Sequence, residues 1–545
     1  MRFDAGNPAD RAAFGRPFDV CVIGTGPAGT TLARQLAARG LDVALMEAGG
    51  LEWSEESQDV TRGTSVGILY PDLDVARLRF LGGNSNHWNG LCRAFDATDF
   101  EARPANPDAA WPIGRADLDP YTDAVHDILD LTPIDDGDPN PGTEPATGFR
   151  RIHYFRSAPT RFGEKYLDEL TASERISLCL NANLVDIRLD DALGTVTGAL
   201  FKGYARDDSG FTVQARAYAL CCGGIENPRL LLNFRSQIPA GIGNQNDLVG
   251  RYYNDHPGTP PPLGEVIFTG QPLADAQFFE PTEALMAELG SMPMNVRINY
   301  AADRKPLPFG KELARTLQCA VPYADRLTDA VLGDALTCGL GGGVEDWWHS
   351  RDGVRWPWGR VAFNAQAALN RDSRVMLSDE VDAFGMNRVK LDWRVQPVDN
   401  ASIRETIQAF AGWLAEEDIG RMKIYDWVLT DTPIEVASSG TESMSSWHHM
   451  CGTRMATDPK MGVVDADCRV HGVSNLYIGG SSVFSSSGFV NPTYTIVQLA
   501  LRLGDHLGET LPAAATPAAT TTTPAITPAG APDAPAAPAP EGSKP

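Results

Sequence analysis

A doubly wound α/β domain with a second, mixed α+β domain inserted into it is the fold this sequence predicts, and three observations carry that reading. A short apolar run, Phe18-Asp19-Val20-Cys21-Val22-Ile23, leads directly into Gly24-Thr25-Gly26-Pro27-Ala28-Gly29. A helical stretch from Thr30 to Arg39 follows, and a second apolar run, Leu41 to Met46, closes on Glu47. From about Gly258 to Glu435 the pattern changes to mixed strands and loops with one clear helix, Ser402 to Glu417.

Each element has a local cause. Gly40 fits a helix C-cap after Arg39, so strand, helix and strand form a βαβ start. Leu178 to Leu189 and Val196 to Tyr204 are predicted to pair as strands. Ala217 to Cys222 reads as a buried strand running into Gly223-Gly224, and Asn227-Pro228 opens a helix over Arg229 to Phe234. The expected organisation is an N-terminal extension (1–16), a discontinuous dinucleotide-binding domain (17–100, 176–257 and 440–510) and a substrate-binding domain with connecting segments (101–175 and 258–439). The Ala/Pro/Thr-rich tail (511–545) cannot bury a core and is expected to be disordered.

Composition narrows the function. The chain has 545 residues, 43% hydrophobic and 21% charged, with a net charge of -24. An acidic surface of that size repels a nucleic-acid backbone, and it serves solubility. Nine cysteines with no C-x-x-C pair predict a reducing compartment without a disulfide framework, hence a cytoplasmic protein. No apolar run reaches membrane-spanning length, and the polar first sixteen residues leave no room for a signal peptide.

The glycines of the first turn have separate jobs. Gly24 permits the tight turn, Gly26 lets the backbone approach a pyrophosphate, and Gly29 allows close helix packing. Glu47 lies twenty-one residues after Gly26, where a carboxylate accepts both ribose hydroxyls. Its charge disfavours the 2′-phosphate of NADP. NAD and FAD remain, and Glu47-Ala48-Gly49-Gly50 leans toward FAD.

The other end of the chain offers chemistry. Trp447-His448-His449-Met450-Cys451-Gly452-Thr453 supplies titratable bases, and Val490-Asn491-Pro492-Thr493 supplies an amide. Adjacent side chains diverge, so one of His448 and His449 faces a reaction centre. The pair also invites a metal reading, but no third and fourth ligand stands at suitable spacing, so no metal is expected. Cys451 reads as a small buried side chain. The Trp347-Trp348-His349 and Trp356-Pro357-Trp358 cluster is a candidate wall for a sugar, though loop Trp residues are more often packing anchors.

Taken with four further segments, the chain resembles the glucose–methanol–choline (GMC) oxidoreductases, flavoproteins that oxidise alcohols. Gly82-Gly83-Asn84-Ser85-Asn86-His87-Trp88 resembles that family's loop against the flavin. Gly223 to Leu231 resembles its central strand-turn-helix. Val249 to Pro257, with Asp255-His256-Pro257, resembles its GR…DHP signature. The stretch from Trp447 to Ala500 resembles its C-terminal signature, and Ser373-Arg374-Val375 with Asp382 to Gly385 adds support.

The resemblance covers about residues 17 to 508. Within the family, Asn475 to Gly480, with Gly479 where most members have Asp, resembles the pyranose oxidases and their C-glycoside-oxidising relatives.

That resemblance implies an FAD domain of Rossmann type with an inserted substrate domain. Gly24, Gly26, Gly29, Glu47, Gly82, Gly83, Asn86, His87, Val185, Gly480, Asn491, Pro492 and Thr493 would hold the cofactor. It implies His449, three residues before Gly452-Thr453, as catalytic base, and Asn491, 42 residues later, as its partner. His448 becomes a supporting residue. In pyranose oxidases a Thr-His-Trp segment attaches FAD covalently. Here Asn86 replaces the Thr, so FAD joined through His87 and FAD bound without a bond both stay open.

The chemistry agrees. A neutral His takes a hydroxyl proton, an Asn amide holds the substrate oxygen, and the flavin takes the hydride. The implied activity is oxidation of a sugar or glycoside ring hydroxyl to a ketone, with O2 or another acceptor. The alternatives are the flavin subunit of a sugar or polyol dehydrogenase complex serving a cytochrome or quinone, and a non-redox lyase on the same fold. The sugar, its carbon and the oligomeric state are not specified by these residues.

Overall fold

A computed structural model describes residues 1–134, 148–258, 263–269, 276–300, 358–430, 432–434 and 445–511. Six strands form one all-parallel sheet: β1 (Arg2–Asp4), β2 (Phe18–Ile23), β3 (Val43–Met46), β4 (Ile176–Leu180), β5 (Ala215–Leu220) and β6 (Leu476–Ile478), in the order β1-β4-β3-β2-β5-β6. β3 and β4 are buried along their whole length, as strands covered on both faces must be. Helix α1 (Pro27–Ala38) makes the crossover from β2 to β3, and the C-terminal helix α4 (Thr493–Thr510) packs beside it, where Gln35 Nε2 donates to Asp505 Oδ1 at 2.6 Å.

The glycine turn needs its glycines. Gly24 has φ +102°, and a Cβ there would lie 2.6 Å from the Cys221 carbonyl oxygen. A Cβ on Gly29 would lie 1.9 Å from the Gly24 carbonyl oxygen, so only glycine lets α1 start this close to β2.

Two expectations are corrected here. The first sixteen residues are no appendage: β1 closes the edge of the main sheet, and Arg11 pairs with Asp208 at 2.5 Å. The run from Leu178 to Leu189 is not one strand. Asn181 adopts φ +57° and divides it, so Ile176–Leu180 joins the parallel sheet while Asn183–Leu189 pairs antiparallel with Val196–Lys202.

The second sheet is antiparallel throughout and runs Gly420–Ile424, Gly264–Phe268, Trp358–Ala365, Met294–Tyr300, Ala276–Pro281, Phe149–Ile152. Helix α3 (Pro397–Glu416) covers it, and Phe149, Phe279, Phe410 and Trp413 form an aromatic cluster between them. This core is distinct from that of the parallel sheet. Trp358 opens one of these strands and is half-buried. Trp347, Trp348, His349, Trp356 and the tail from residue 512 lie outside the described residues.

A buried ion network ties α2 (Glu226–Asn233) to the hairpin of strands Arg374–Val381 and Asn387–Asp392. Arg229 donates to Glu226 Oε1 at 2.6 Å, to the Asn387 carbonyl at 2.9 Å, and to Asp382. The Asp382 carboxylate also accepts from the backbone N–H of Phe384 and Met386. Asp382→Ala leaves a fully buried guanidinium with half its anionic partners, and the expected loss is about 3–5 kcal/mol of stability. Urea unfolding of the variant beside the parent checks this.

Candidate active site

Two remote segments pair to build the centre. The backbone N–H of Asn254 donates to the Met450 carbonyl, and that of Met450 donates to the Asn254 carbonyl, both at 3.0 Å. In an antiparallel pair anchored at 254 and 450, residue 256 stands opposite 448, and 255 opposite 449. Successive side chains point to opposite faces. His256 and His448 therefore meet on one face, with their Nδ1 atoms 2.9 Å apart. Asp255 and His449 belong to the other face, where Tyr70 donates to Asp255 Oδ2 at 2.7 Å and its ring lies 6.1 Å from that of His449.

This pairing decides which histidine meets Asn491. His448 Nε2 lies 3.1 Å from Asn491 Nδ2. His449 makes no hydrogen bond to Asn491, but both residues line the cavity. His449 Nε2 is buried with no protein partner, as is Asn491 Oδ1. Asn491 is delivered by the segment that precedes α4, and the Ser487 carbonyl four residues earlier lies 3.1 Å from His256 Nε2.

Asp255 supports the pair from beneath. Its Oδ1 accepts from the backbone N–H of His256 and of His448, at 2.7 and 3.0 Å, and its Oδ2 accepts from Ser445 at 2.6 Å. Burial raises its pKa, and these donated hydrogen bonds oppose the rise. Trp447, just before the pair, holds φ +60° between two such bonds: its own N–H donates to Ser445 Oγ, and the next donates to Asp255. Its ring is 42% exposed and lies 5.8 Å from that of His87.

A cavity of about 390 Å³ runs from the glycine turn to this centre. Gly24, Gly26 and Glu47 line one end, His448, His449 and Asn491 the other, and Gly83, His87, Gly480, Pro492 and Thr493 lie along it.

The remaining expected contacts act indirectly or lie off the wall. Gly29 sets the approach of α1, and Asn86 folds back to donate to the Leu81 and Gly83 carbonyls. Gly82 turns the loop at φ +92°, its N–H donating to Thr25 Oγ1 at 3.1 Å. Val185 packs on the core, while its neighbours Ala182, Asn183 and Leu184 line the cavity. Cys451 is fully buried and its thiol pKa is pushed up to about 12, leaving it inert near neutral pH.

These residues fit a flavin dinucleotide. The first turn of α1 has Gly26 at its N-cap with no side chain capping it, which leaves backbone N–H groups for a pyrophosphate. A Cβ on Gly83 would lie 3.5 Å from Gly26 Cα, so the two glycine loops form one cradle. Glu47 already accepts from the Thr25 and Gly49 backbone N–H groups, which orient its carboxylate. The start of α4 is likewise uncapped by any side chain and opens on the cavity. Among the described residues no group of three His, Cys, Asp or Glu could hold a metal ion, and no helix is long and apolar enough to cross a membrane.

Comparison with known proteins agrees with this geometry. Residues 370–500 match a family model described as GMC oxidoreductase, and residues 19–238 match one described as FAD dependent oxidoreductase. The C-terminal match is thus to the GMC oxidoreductases and the N-terminal one to FAD-dependent oxidoreductases. The cofactor of the chain is FAD, and the chain is an oxidoreductase acting on CH–OH groups. The chain is 26% identical to paromamine 6'-oxidase of Streptomyces fradiae over 557 residues, covering 89% of this chain and 90% of that one. It is 29% identical to the fructose dehydrogenase large subunit of Gluconobacter japonicus over 327 residues, covering 58% of this chain and 51%, about half, of that one. Pyridoxine 4-oxidase from Mesorbium loti shares the fold with a TM-score of 0.55 at 14% identity, covering 90% of this chain and 99% of that one.

Sequence reasoning missed the contact of His448 with Asn491, that of His256 with His448, and the buried Arg77, whose guanidinium donates to Glu226 at 3.3 Å in the cavity wall. Only the first two had a signal: two adjacent histidines, and a His in the segment that resembles the GR…DHP signature.

Three histidines here are held neutral by burial. The pKa of His256 is pushed down to about 4 and that of His449 to about 3, and that of His448 lies well below 6.5. Above 6.5 they take no proton in either state and contribute nothing to the pH dependence. As pH falls from 6.5 toward 4, the unfolded chain takes up protons that the folded chain refuses. Each histidine then removes about 1.4 kcal/mol of stability per pH unit. Chemical unfolding between pH 7.5 and 4.5 is expected to show this steep acid loss, and replacing His449 with Phe should flatten it.

Proposed function

We propose that this protein oxidises a secondary ring hydroxyl of a sugar or glycoside to a ketone, with His449 as the base and Asn491 holding the substrate oxygen. The observation that carries the reading is that His449 Nε2 and Asn491 Oδ1 are both buried without a protein partner and both residues line the cavity near Thr493 and the start of α4. A hydroxyl group bound at this wall gives its proton to the imidazole while the amide holds its oxygen. FAD supplies the hydride acceptor when bound.

His448 supports the site from beside the base: its Nδ1 meets His256 and its Nε2 meets Asn491. The sugar class is supported by the Gly479 variant of the signature and by the names of two relatives, paromamine 6'-oxidase and fructose dehydrogenase. An uncharged substrate also suits a chain of net charge -24.

The second relative supports one alternative: a dehydrogenase subunit that passes electrons to a cytochrome or quinone. Hydrogen peroxide released by the isolated protein during turnover in air marks an oxidase. Its absence, with rapid reduction of an added quinone, marks the dehydrogenase.

The test is anaerobic mixing with monosaccharides, polyols, aminoglycosides and C- and O-glycosides while flavin absorbance is followed. A sugar is expected to bleach the flavin. His449→Ala should slow that bleaching by about 10²–10⁴-fold with FAD still bound. His448→Ala should slow it far less. Undiminished bleaching in His449→Ala would overturn the base assignment, and no bleaching by any alcohol would overturn the redox reading. Acid precipitation separates the two modes of FAD attachment: a yellow supernatant means no bond, and a coloured pellet means attachment, with His87 the candidate.

A further inference from the structure

The wall of the active site holds two acceptors, and a lone alcohol group has one hydrogen to give them. His449 Nε2, bare when it acts as a base, and Asn491 Oδ1 are both buried without a protein partner, and both residues line the cavity. A buried acceptor left without a donor is costly, so a ligand that fits this wall brings two donors.

Which atom of the Asn491 amide is left for the ligand is fixed from behind. The Ser487 carbonyl oxygen can only accept, so His256 Nε2, 3.1 Å away, carries a hydrogen. His256 is fully buried and uncharged near pH 7, so its Nδ1 is bare. The hydrogen between the two Nδ1 atoms, 2.9 Å apart, therefore belongs to His448. His448 is uncharged too, so its Nε2 is bare, and the Asn491 atom 3.1 Å from it must be the donor, Nδ2. The opposite rotation of the amide would set two acceptors against each other. One N–H of Asn491 is thus taken by His448. The other N–H and Oδ1 stand side by side on the free edge of the amide, a donor next to an acceptor.

We propose that this edge reads a vicinal diol: the free N–H of Asn491 donates to the oxygen of the hydroxyl being oxidised, and Asn491 Oδ1 accepts from the hydroxyl on a neighbouring carbon. The inference rests on the sugar oxidation with His449 as base. The reacting O–H proton goes to His449 Nε2, and the C–H electron pair leaves as hydride to the FAD. The second hydroxyl keeps its proton and only donates a hydrogen bond. Two hydroxyls on adjoining ring carbons match the two-point contact that an Asn amide makes with a neighbouring acceptor and donor. His448 acts through Asn491 and is a positioning residue. An isolated alcohol leaves Oδ1 without a donor, so the site selects sugars with a free hydroxyl beside the reacting carbon over simple alcohols.

The experiment takes the fastest sugar of the panel above. Once the ketone product shows which carbon is oxidised, that sugar is compared with its two analogues that lack the hydroxyl on one or the other adjoining carbon. Anaerobic stopped-flow reduction of the FAD-loaded protein gives a rate and an apparent Kd for each. Removing an electron-withdrawing oxygen eases hydride loss from the next carbon, so a slower reaction reports a lost contact. One of the two analogues should lose roughly 10–100-fold in rate divided by Kd. The same comparison is made in Asn491→Ala, and in His448→Leu, whose side chain leaves the amide free to turn. Both variants are slower with the parent sugar, and the ratio of sugar to analogue is what the experiment reads. That ratio should shrink to within about threefold. Where His448→Leu does not fold, Asn491→Ala carries the comparison.

Two analogues that reduce the flavin as fast as the parent sugar would overturn the proposal. So would a loss that persists undiminished in Asn491→Ala, because another group would then be reading the second hydroxyl. Failure of every sugar to bleach the flavin is a separate result: it removes the sugar reading itself, and this inference with it.

Discussion

The pairing of Asn254 with Met450 is the contact on which the active centre depends. Two backbone hydrogen bonds of 3.0 Å join segments almost two hundred residues apart, and everything nearby follows from their register. The contact is a single bridge, because the backbone N–H groups of His256 and His448 go to the Asp255 carboxylate. Burial holds it in place. Met450 is fully buried, and a Cβ on Gly224 would lie 2.1 Å from the His449 carbonyl oxygen, so the histidine strand is clamped from a third side. The chemistry of the site is thus specified by backbone geometry before any side chain acts.

What could be read from the sequence was local. The β2-turn-α1-β3 unit and Glu47 needed only short-range patterns: an apolar run, three glycines, a helix and a second run. Those signals span about thirty residues and depend on no distant partner. Asn491 was equally visible because Pro492-Thr493 opens a long helix at once.

The surroundings of His448 were not local. Counting back from Gly452-Thr453 selects His449 and is silent on its neighbour. Cys451 has φ +70° and Trp447 has φ +60°, so the segment does not run as a regular strand, and a motif count cannot say which way a ring points. The contact of His448 with His256 depends on the partner segment. The same limit applies to β1: three residues too short to register as a strand become the sheet edge because β4 offers an unpaired side.

Trp447 shows how such geometry constrains variation. A bulky residue in the left-handed region is held about 1–2 kcal/mol above its relaxed backbone, and here hydrogen bonds on either side keep it there. Selection for heat resistance alone would reward glycine or asparagine at 447, which occupy that region freely. The indole at the mouth of the cavity would vanish in the same step. A thermostable descendant obtained that way would keep its flavin and its base while losing the rim that a ligand first meets, so a screen on melting temperature and a screen on turnover would pull this one position in opposite directions.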